Sequence, residues 1–123
     1  MMNKRVAIVD DERDILEILE QFLNRRDKLD IEVFQNPLTA IENVKNGNFD
    51  LVLLDIMMPQ MNGVDFLEEV KKASPSTKVI MMTAYSTQDK MLDSQKIGAD
   101  DYLTKPFISL RDVENKVFDN LGL

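Results

Sequence analysis

The chain has 123 residues, 15 Lys+Arg against 22 Asp+Glu for a net charge of −7, and neither cysteine nor histidine. That length fits one domain with a real core, and the missing side chains exclude structural zinc, thiol chemistry, Ser-His-Asp and Cys-His catalysis, and a phosphohistidine within the chain. The acidic balance, with no basic cluster longer than a pair such as Arg25-Arg26, argues against a nucleic-acid surface. The apolar run Val6–Val9 is too short for a signal-peptide core or a membrane span, so a soluble, cytoplasmic protein is expected.

In chain order, Val6-Ala7-Ile8-Val9 reads as a buried strand, because four apolar residues are too few for a core helix. Ile15, Leu16, Ile18, Leu19, Phe22 and Leu23 follow at the spacing that puts an apolar stripe along one helix face. Ile31-Glu32-Val33-Phe34 alternates as a half-buried or edge strand does. Leu38, Ile41 and Val44 mark a second helix closed by Gly47, and Leu51-Val52-Leu53-Leu54 a second buried strand. Val64, Phe66, Leu67 and Val70 predict a helix ending near Ser74-Pro75, before a third buried strand at Val79-Ile80-Met81-Met82. From Thr87 to Ile97 only Met91, Leu92 and Ile97 are apolar, which predicts a shallowly packed helix capped by Gly98, a candidate moving part. Asp101-Tyr102-Leu103-Thr104 is the fifth strand, and Leu110, Val113, Val117, Phe118 and Leu121 stripe the last helix. Strand and helix thus alternate five times, and parallel strands with right-handed crossovers are the economical solution. The expected fold is a doubly wound α/β sandwich, a single domain over 1–123, with all four prolines in connections.

Ligands of such a sheet bind at the carboxyl ends of its strands. Asp10, Asp11 and Glu12 follow the first strand, Asp55 the third, Thr83 and Ala84 the fourth, and Lys105-Pro106 the fifth. Two carboxylates about 5 Å apart repel by roughly 3 kcal/mol at an effective dielectric near 20, so three converging aspartates call for an offsetting charge. With oxygen ligands alone, Mg²⁺ is the physiological choice, keeping several waters. The blander reading is that Asp10 and Asp11 cap the first helix, which leaves Asp55 and Lys105 at the same edge unexplained. Lys105, the Thr83 hydroxyl and the amides of the loop from Asp55 to Gly63 suit a phosphoryl group, and a carboxylate attacking phosphorus gives an aspartyl phosphate. Asp55, central in the sheet, is the nucleophile candidate. Asp100-Asp101 precedes the fifth strand and is expected at the opposite edge in a structural role.

Four stretches, Val9-Asp10-Asp11-Glu12, Leu54-Asp55-Ile56-Met57-Met58-Pro59-Gln60-Met61-Asn62-Gly63, Met82-Thr83-Ala84 and Gly98-Ala99-Asp100-Asp101-Tyr102-Leu103-Thr104-Lys105-Pro106-Phe107, resemble the receiver domain of two-component response regulators. The resemblance covers essentially the whole chain. It implies a flavodoxin-like five-stranded parallel sheet of order 2-1-3-4-5 with five helices, and a phosphoacceptor signalling domain rather than an enzyme. Its phosphoryl group would come to Asp55 from a sensor histidine kinase or a histidine phosphotransfer protein. Asp11, Asp55 and the Met57 carbonyl would ligate Mg²⁺ directly, with Mn²⁺ able to substitute, and Asp10 would act through water. Thr83 and Lys105 would contact the phosphoryl oxygens, and the Lys105-Pro106 bond would be cis. Tyr102 matches an aromatic switch whose ring turns inward as Thr83 moves toward the phosphoryl group, changing partner binding through the fourth helix, fifth strand and last helix, with Met91 and Tyr102 as anchors. The output would be a downstream protein target or a C-terminal output domain beyond Leu123, with neither nucleic-acid binding nor membrane insertion expected of this domain; phosphorylation-dependent homodimerisation stays open.

Asn62 stands where the family more often has Asp, a matter of turn chemistry. Met57 and Tyr85, two residues after Asp55 and Thr83, occupy positions that in this family tune dephosphorylation, and neither ionises at neutral pH, so slow self-hydrolysis is expected. Three other readings fit the residues less well. An aspartate-nucleophile phosphatase lacks its second carboxylate at Met57, and a flavin or nucleotide binder lacks a glycine-rich loop. A receiver-like module that takes no phosphate fits poorly with a complete Asp, Thr and Lys set.

Overall fold

Five short strands, three of them apolar throughout most of their length, pair side by side in parallel, in the order β2-β1-β3-β4-β5. The computed structural model describes residues 3–84 and 88–123, residues 88–91 by their backbone alone. In chain order the elements are β1 (Lys4–Val9), α1 (Arg13–Asn24), β2 (Leu29–Phe34), α2 (Pro37–Asn46), β3 (Leu51–Asp55), α3 (Gly63–Ala73), β4 (Lys78–Thr83), α4 (Gln88–Ile97), β5 (Asp101–Thr104) and α5 (Leu110–Leu121). The doubly wound α/β fold is the one the strand-helix alternation predicts, and the strand order is the one the resemblance implies. β1, β2 and β4 each begin one or two residues earlier than their apolar runs, because Lys4, Leu29 and Lys78 already pair with neighbouring strands.

The pleat explains why the central strands are continuous apolar runs. Ala7, Val9, Val52, Leu54, Val79 and Met81 face one way and meet α2 and α3 through Ile41, Val44, Phe66, Leu67 and Val70. Val6, Ile8, Leu51, Leu53, Ile80 and Met82 face the other way and meet α1 and α5 through Leu16, Leu19, Leu23, Val113, Val117 and Phe118. Edge strands β2 and β5 are only partly buried, as their alternating sequences require.

The helix starts are set locally. Asn36 accepts a hydrogen bond from the Leu38 amide ahead of Pro37 at the first position of α2, Asn62 accepts from Val64 at α3, and Ser109 from Asp112 at α5. α5 ends on Gly122 in the left-handed region, φ 73°. Gly98 likewise has φ +118°, and the amides of Gly98 and Ala99 both reach the Ser94 carbonyl, which closes α4 as predicted. Thr87 and Tyr85 lie outside the described residues, as does the side chain of Met91. Ile18, placed in the apolar stripe by its spacing, is 47% exposed, so the buried stripe of α1 is Leu16, Leu19 and Leu23. Among the described residues no helix is long and apolar enough to cross a membrane.

Candidate functional site

Parallel pairing carries the last residues of β1, β3, β4 and β5 to one edge of the sheet, and the exchange of strand order between β1 and β3 opens a crevice there. Asp10 directly follows β1, Asp55 ends β3, Thr83 ends β4 and Lys105 directly follows β5. Asp10 is fully buried, Asp55 is 6% exposed and Asp11 is half-buried. One carboxylate oxygen from each of the three lies within 4.8 Å of the other two. Lys105 completes the cluster, its Nζ 2.5 Å from Asp10 Oδ2, 3.4 Å from Glu12 Oε1 and 3.5 Å from Asp55 Oδ1.

The helix-capping explanation of Asp10 and Asp11 does not survive this geometry. The N-cap of α1 is Glu12, which makes no side-chain capping bond. Asp10 accepts from the Glu12 amide at 2.9 Å and otherwise turns to Lys105, so it braces the β1–α1 turn and the cluster together.

Backbone bonds hold each acidic residue in place. The Asp10 amide donates to the Phe34 carbonyl, the Ile56 amide to Met82 and the Lys105 amide to Thr83. Gln35 donates to the Asp11 carbonyl at 3.2 Å. Gly63 donates to the Ile56 carbonyl at 2.8 Å, drawing the start of α3 onto the end of β3. A Cβ at Gly63 would collide with the Asp55 carbonyl oxygen and sit 2.7 Å from Ile56 Cα, so only glycine permits this approach. Glu12, Gln35 and the packing role of Gly63 were not assigned from the sequence. Glu12 was visible only as a third acid in a row, and Gly63 only as part of a motif.

Charge crowding sets the electrostatics. Burial and the neighbouring Asp10 charge push the Asp55 carboxyl up from 3.8 to about 7, with Lys105 opposing and Asp11 adding to the rise. Burial also raises Asp10, against the hydrogen bonds from Lys105 and the Glu12 amide. For Lys105 burial works against the charge, but the bond to Asp10 and the charges of Asp10, Asp55 and Glu12 outweigh it and hold the ammonium above its ordinary value. The donor set is oxygen alone, half or more enclosed and over-supplied with negative charge, which fits a hard divalent cation.

The other expected residues are placed as follows. Thr83 is 5% exposed, and its hydroxyl donates to the Leu103 carbonyl at 3.4 Å. Met57 lies in the β3–α3 loop with its side chain 53% exposed. The Lys105-Pro106 bond is cis. Tyr102, on β5, is half-buried against the core and its hydroxyl meets Ser94 of α4 at 3.1 Å. Asp100 lies away from the cluster, accepting from the Val79 amide at 2.8 Å and pairing with Lys71 at 2.8 Å, while Asp101 accepts from Asn120, so this acidic pair is structural.

Comparison with known proteins decides the family, for the response regulator receiver domain model matches residues 6–118. The chain belongs to the response regulator receiver domain family. It is 36% identical over 118 residues to the chemotaxis protein CheY of Thermotoga maritima, covering 94% of this chain and 98% of that one. Against the response regulator protein PilR of Pseudomonas aeruginosa it is 41% identical over 106 residues, 86% of this chain. The receiver spans 24% of the length of PilR and 23% of the transcriptional regulatory protein ZraR of Klebsiella oxytoca. A CheY-like receiver domain protein from Methanospirillum hungatei superposes with a TM-score of 0.91 at 32% identity, covering 98% of this chain and 95% of that one. The receiver family is a phosphoacceptor signalling family, and its shared fold places this acidic cluster at the strand ends.

Proposed function

We propose that residues 1–123 form one receiver unit that accepts a phosphoryl group on Asp55 and thereby switches partner binding. The observation that carries this reading is the Asp55 carboxylate, buried at the end of the central strand within 4.8 Å of two other carboxylate groups and 3.5 Å from Lys105 Nζ. The donor is a sensor histidine kinase or a histidine phosphotransfer protein. An Asp55 oxygen forms the new bond to phosphorus as the phosphorus–nitrogen bond of the donor breaks, the electron pair returning to the imidazole.

Lys105 supplies a fixed positive charge to the transferred oxygens, and its pairing with Asp10 restrains it until a more negative group arrives. Thr83 exchanges a long hydrogen bond to Leu103 for one to a phosphoryl oxygen. Asp11, Asp55 and the Met57 carbonyl would hold Mg²⁺, or Mn²⁺ in its place, with Asp10 supporting them. That cation, when bound, neutralises charge on the carboxylates and the transferred oxygens. The altered Thr83 position is read out on the face of α4, β5 and α5, where Leu92 is 56% exposed, by a downstream protein or an output domain. The setting is cytoplasmic.

Incubation with acetyl phosphate and Mg²⁺ tests the reading, with the outcome scored as covalent phosphoryl per chain. One retained equivalent is expected, whereas multiple-turnover release of phosphate from small esters would make the protein a phosphatase. Partner binding indifferent to Asp55→Ala would make it a module without phosphoryl control. With Met57 and Tyr85 at the tuning positions, decay of the phosphoprotein is expected to be slow and to quicken in Met57→Asn. Rapid decay unaltered by that change contradicts the assignment.

A further inference from the structure

α4 is an odd helix to be held at an edge strand. Among its described side chains Leu92, Asp93, Gln95 and Lys96 are exposed and Ile97 is half-buried, so the residue it buries completely is Ser94, at 0% exposure. A buried hydroxyl costs free energy unless it is hydrogen-bonded. The Ser94 Oγ lies 3.1 Å from the Tyr102 hydroxyl. The Ser94 carbonyl also receives the amides of Gly98 and Ala99, which fixes this residue at the last turn of the helix. Tyr102 is tied from the other side as well, because Lys116 of α5 donates to its carbonyl at 2.6 Å. One residue of β5 therefore joins α4 through its ring and α5 through its backbone. Its neighbour Leu103 carries the carbonyl to which Thr83 donates.

We infer that Ser94 is a positioning residue for Tyr102: its hydroxyl holds the ring against α4, and a change at Leu103 reaches the α4 surface through this hydroxyl pair. The ring-holding part stands on the geometry alone; the part concerning signal transfer rests on the phosphoacceptor reading. A ring that swings away from α4 breaks the bond and leaves the Tyr102 phenol to water, so the side chain at position 94 sets how the two ring positions are populated.

The test uses the full chain labelled with 3-fluorotyrosine. The chain has two tyrosines, and the Tyr102 fluorine resonance is assigned by its loss in Tyr102→Phe. Ser94→Ala is expected to move that resonance toward the position of free 3-fluorotyrosine, and Ser94→Thr, which keeps the hydroxyl, to restore it. Beryllofluoride with Mg²⁺, a mimic of an acyl phosphate, is expected to shift the resonance in the wild type and to shift it less than half as far in Ser94→Ala. An unmoved resonance in folded Ser94→Ala overturns the inference. A resonance that moves in Ser94→Ala but ignores beryllofluoride in both proteins supports the ring-holding role and overturns the signal-transfer part, while covalent labelling by acetyl phosphate scores the phosphoacceptor reading separately. Thermal midpoints of Ser94→Ala, Tyr102→Phe and the double variant give a second measurement should labelled Ser94→Ala fold poorly. A hydroxyl pair predicts that the double variant melts higher than the two separate losses added together, and strict additivity overturns it.

Discussion

At the residue scale the site is a balance between three carboxylates and one ammonium. Asp55 feels it most, with a folded-state value near 7 against an ordinary 3.8. Below pH 3.8 its carboxyl is neutral in both folded and unfolded chains and costs nothing. From about pH 4 to 7 the unfolded chain releases the proton first, so the contribution of this group to stability falls as pH rises. Above 7 a penalty of at most ~4 kcal/mol persists. Asp55→Asn removes it. In chelator, the melting-temperature advantage of Asp55→Asn over the wild type is therefore expected to widen from pH 5 to pH 8, and a constant gap contradicts the charge-crowding account. Asp11→Asn relieves the same repulsion and is expected to raise the metal-free melting temperature at pH 8, as Mg²⁺ does for the wild type. Asp10→Asn is expected to gain less than Asp11→Asn. It strips the 2.5 Å partner from Lys105, whose side chain is 13% exposed, a cost visible only once the two side chains are seen to meet.

Elements place these residues, and the tightest placement is where α3 starts. Gly63 brings the helix against the Asp55 and Ile56 backbone, with a carbonyl and a Cα where a methyl group would go. Gly63→Ala is expected to cost about 1–3 kcal/mol and to slow acetyl phosphate labelling, because relief requires the end of β3 to shift. Calorimetry and labelling rate check the two halves; an unchanged rate with a lowered melting temperature would mean that Asp55 is positioned by β3 alone. The buried strands were legible as apolar runs because both sheet faces are covered, and the strand order followed from the resemblance to receivers. The first residues of β1 and β4 were not, since Lys4 and Lys78 join the ladder through backbone groups that leave no apolar signature, whereas Leu29 is a buried residue that continues the alternation of β2 and was readable but left out. Ile18 shows the opposite failure. Its spacing matches the stripe of α1, yet it lies over the β5–α5 loop beside Pro106, Phe107 and Leu110, where less of it is covered.

On the scale of the whole molecule, one face of the sheet edge gathers the charged chemistry while the opposite edge uses acids as braces. Asp10 and Asp55 converge on Lys105, whereas Asp100 binds Lys71 and the Val79 amide, and the difference follows from which end of a parallel strand each residue occupies. Strand position was readable from the sequence, so the acidic cluster was too. The Ser94–Tyr102 contact was not, because a serine in a polar helix carries no sign of burial until the helix is seated on β5.

The central claim is that Asp55 is the phosphoacceptor, and intact mass after incubation with acetyl phosphate addresses it directly, for the wild type and Asp55→Asn, each with and without Mg²⁺. The account predicts a gain of one phosphoryl group by the wild type with Mg²⁺, lost on chelation and absent in Asp55→Asn. The same gain in Asp55→Asn would place the acceptor elsewhere and contradict it.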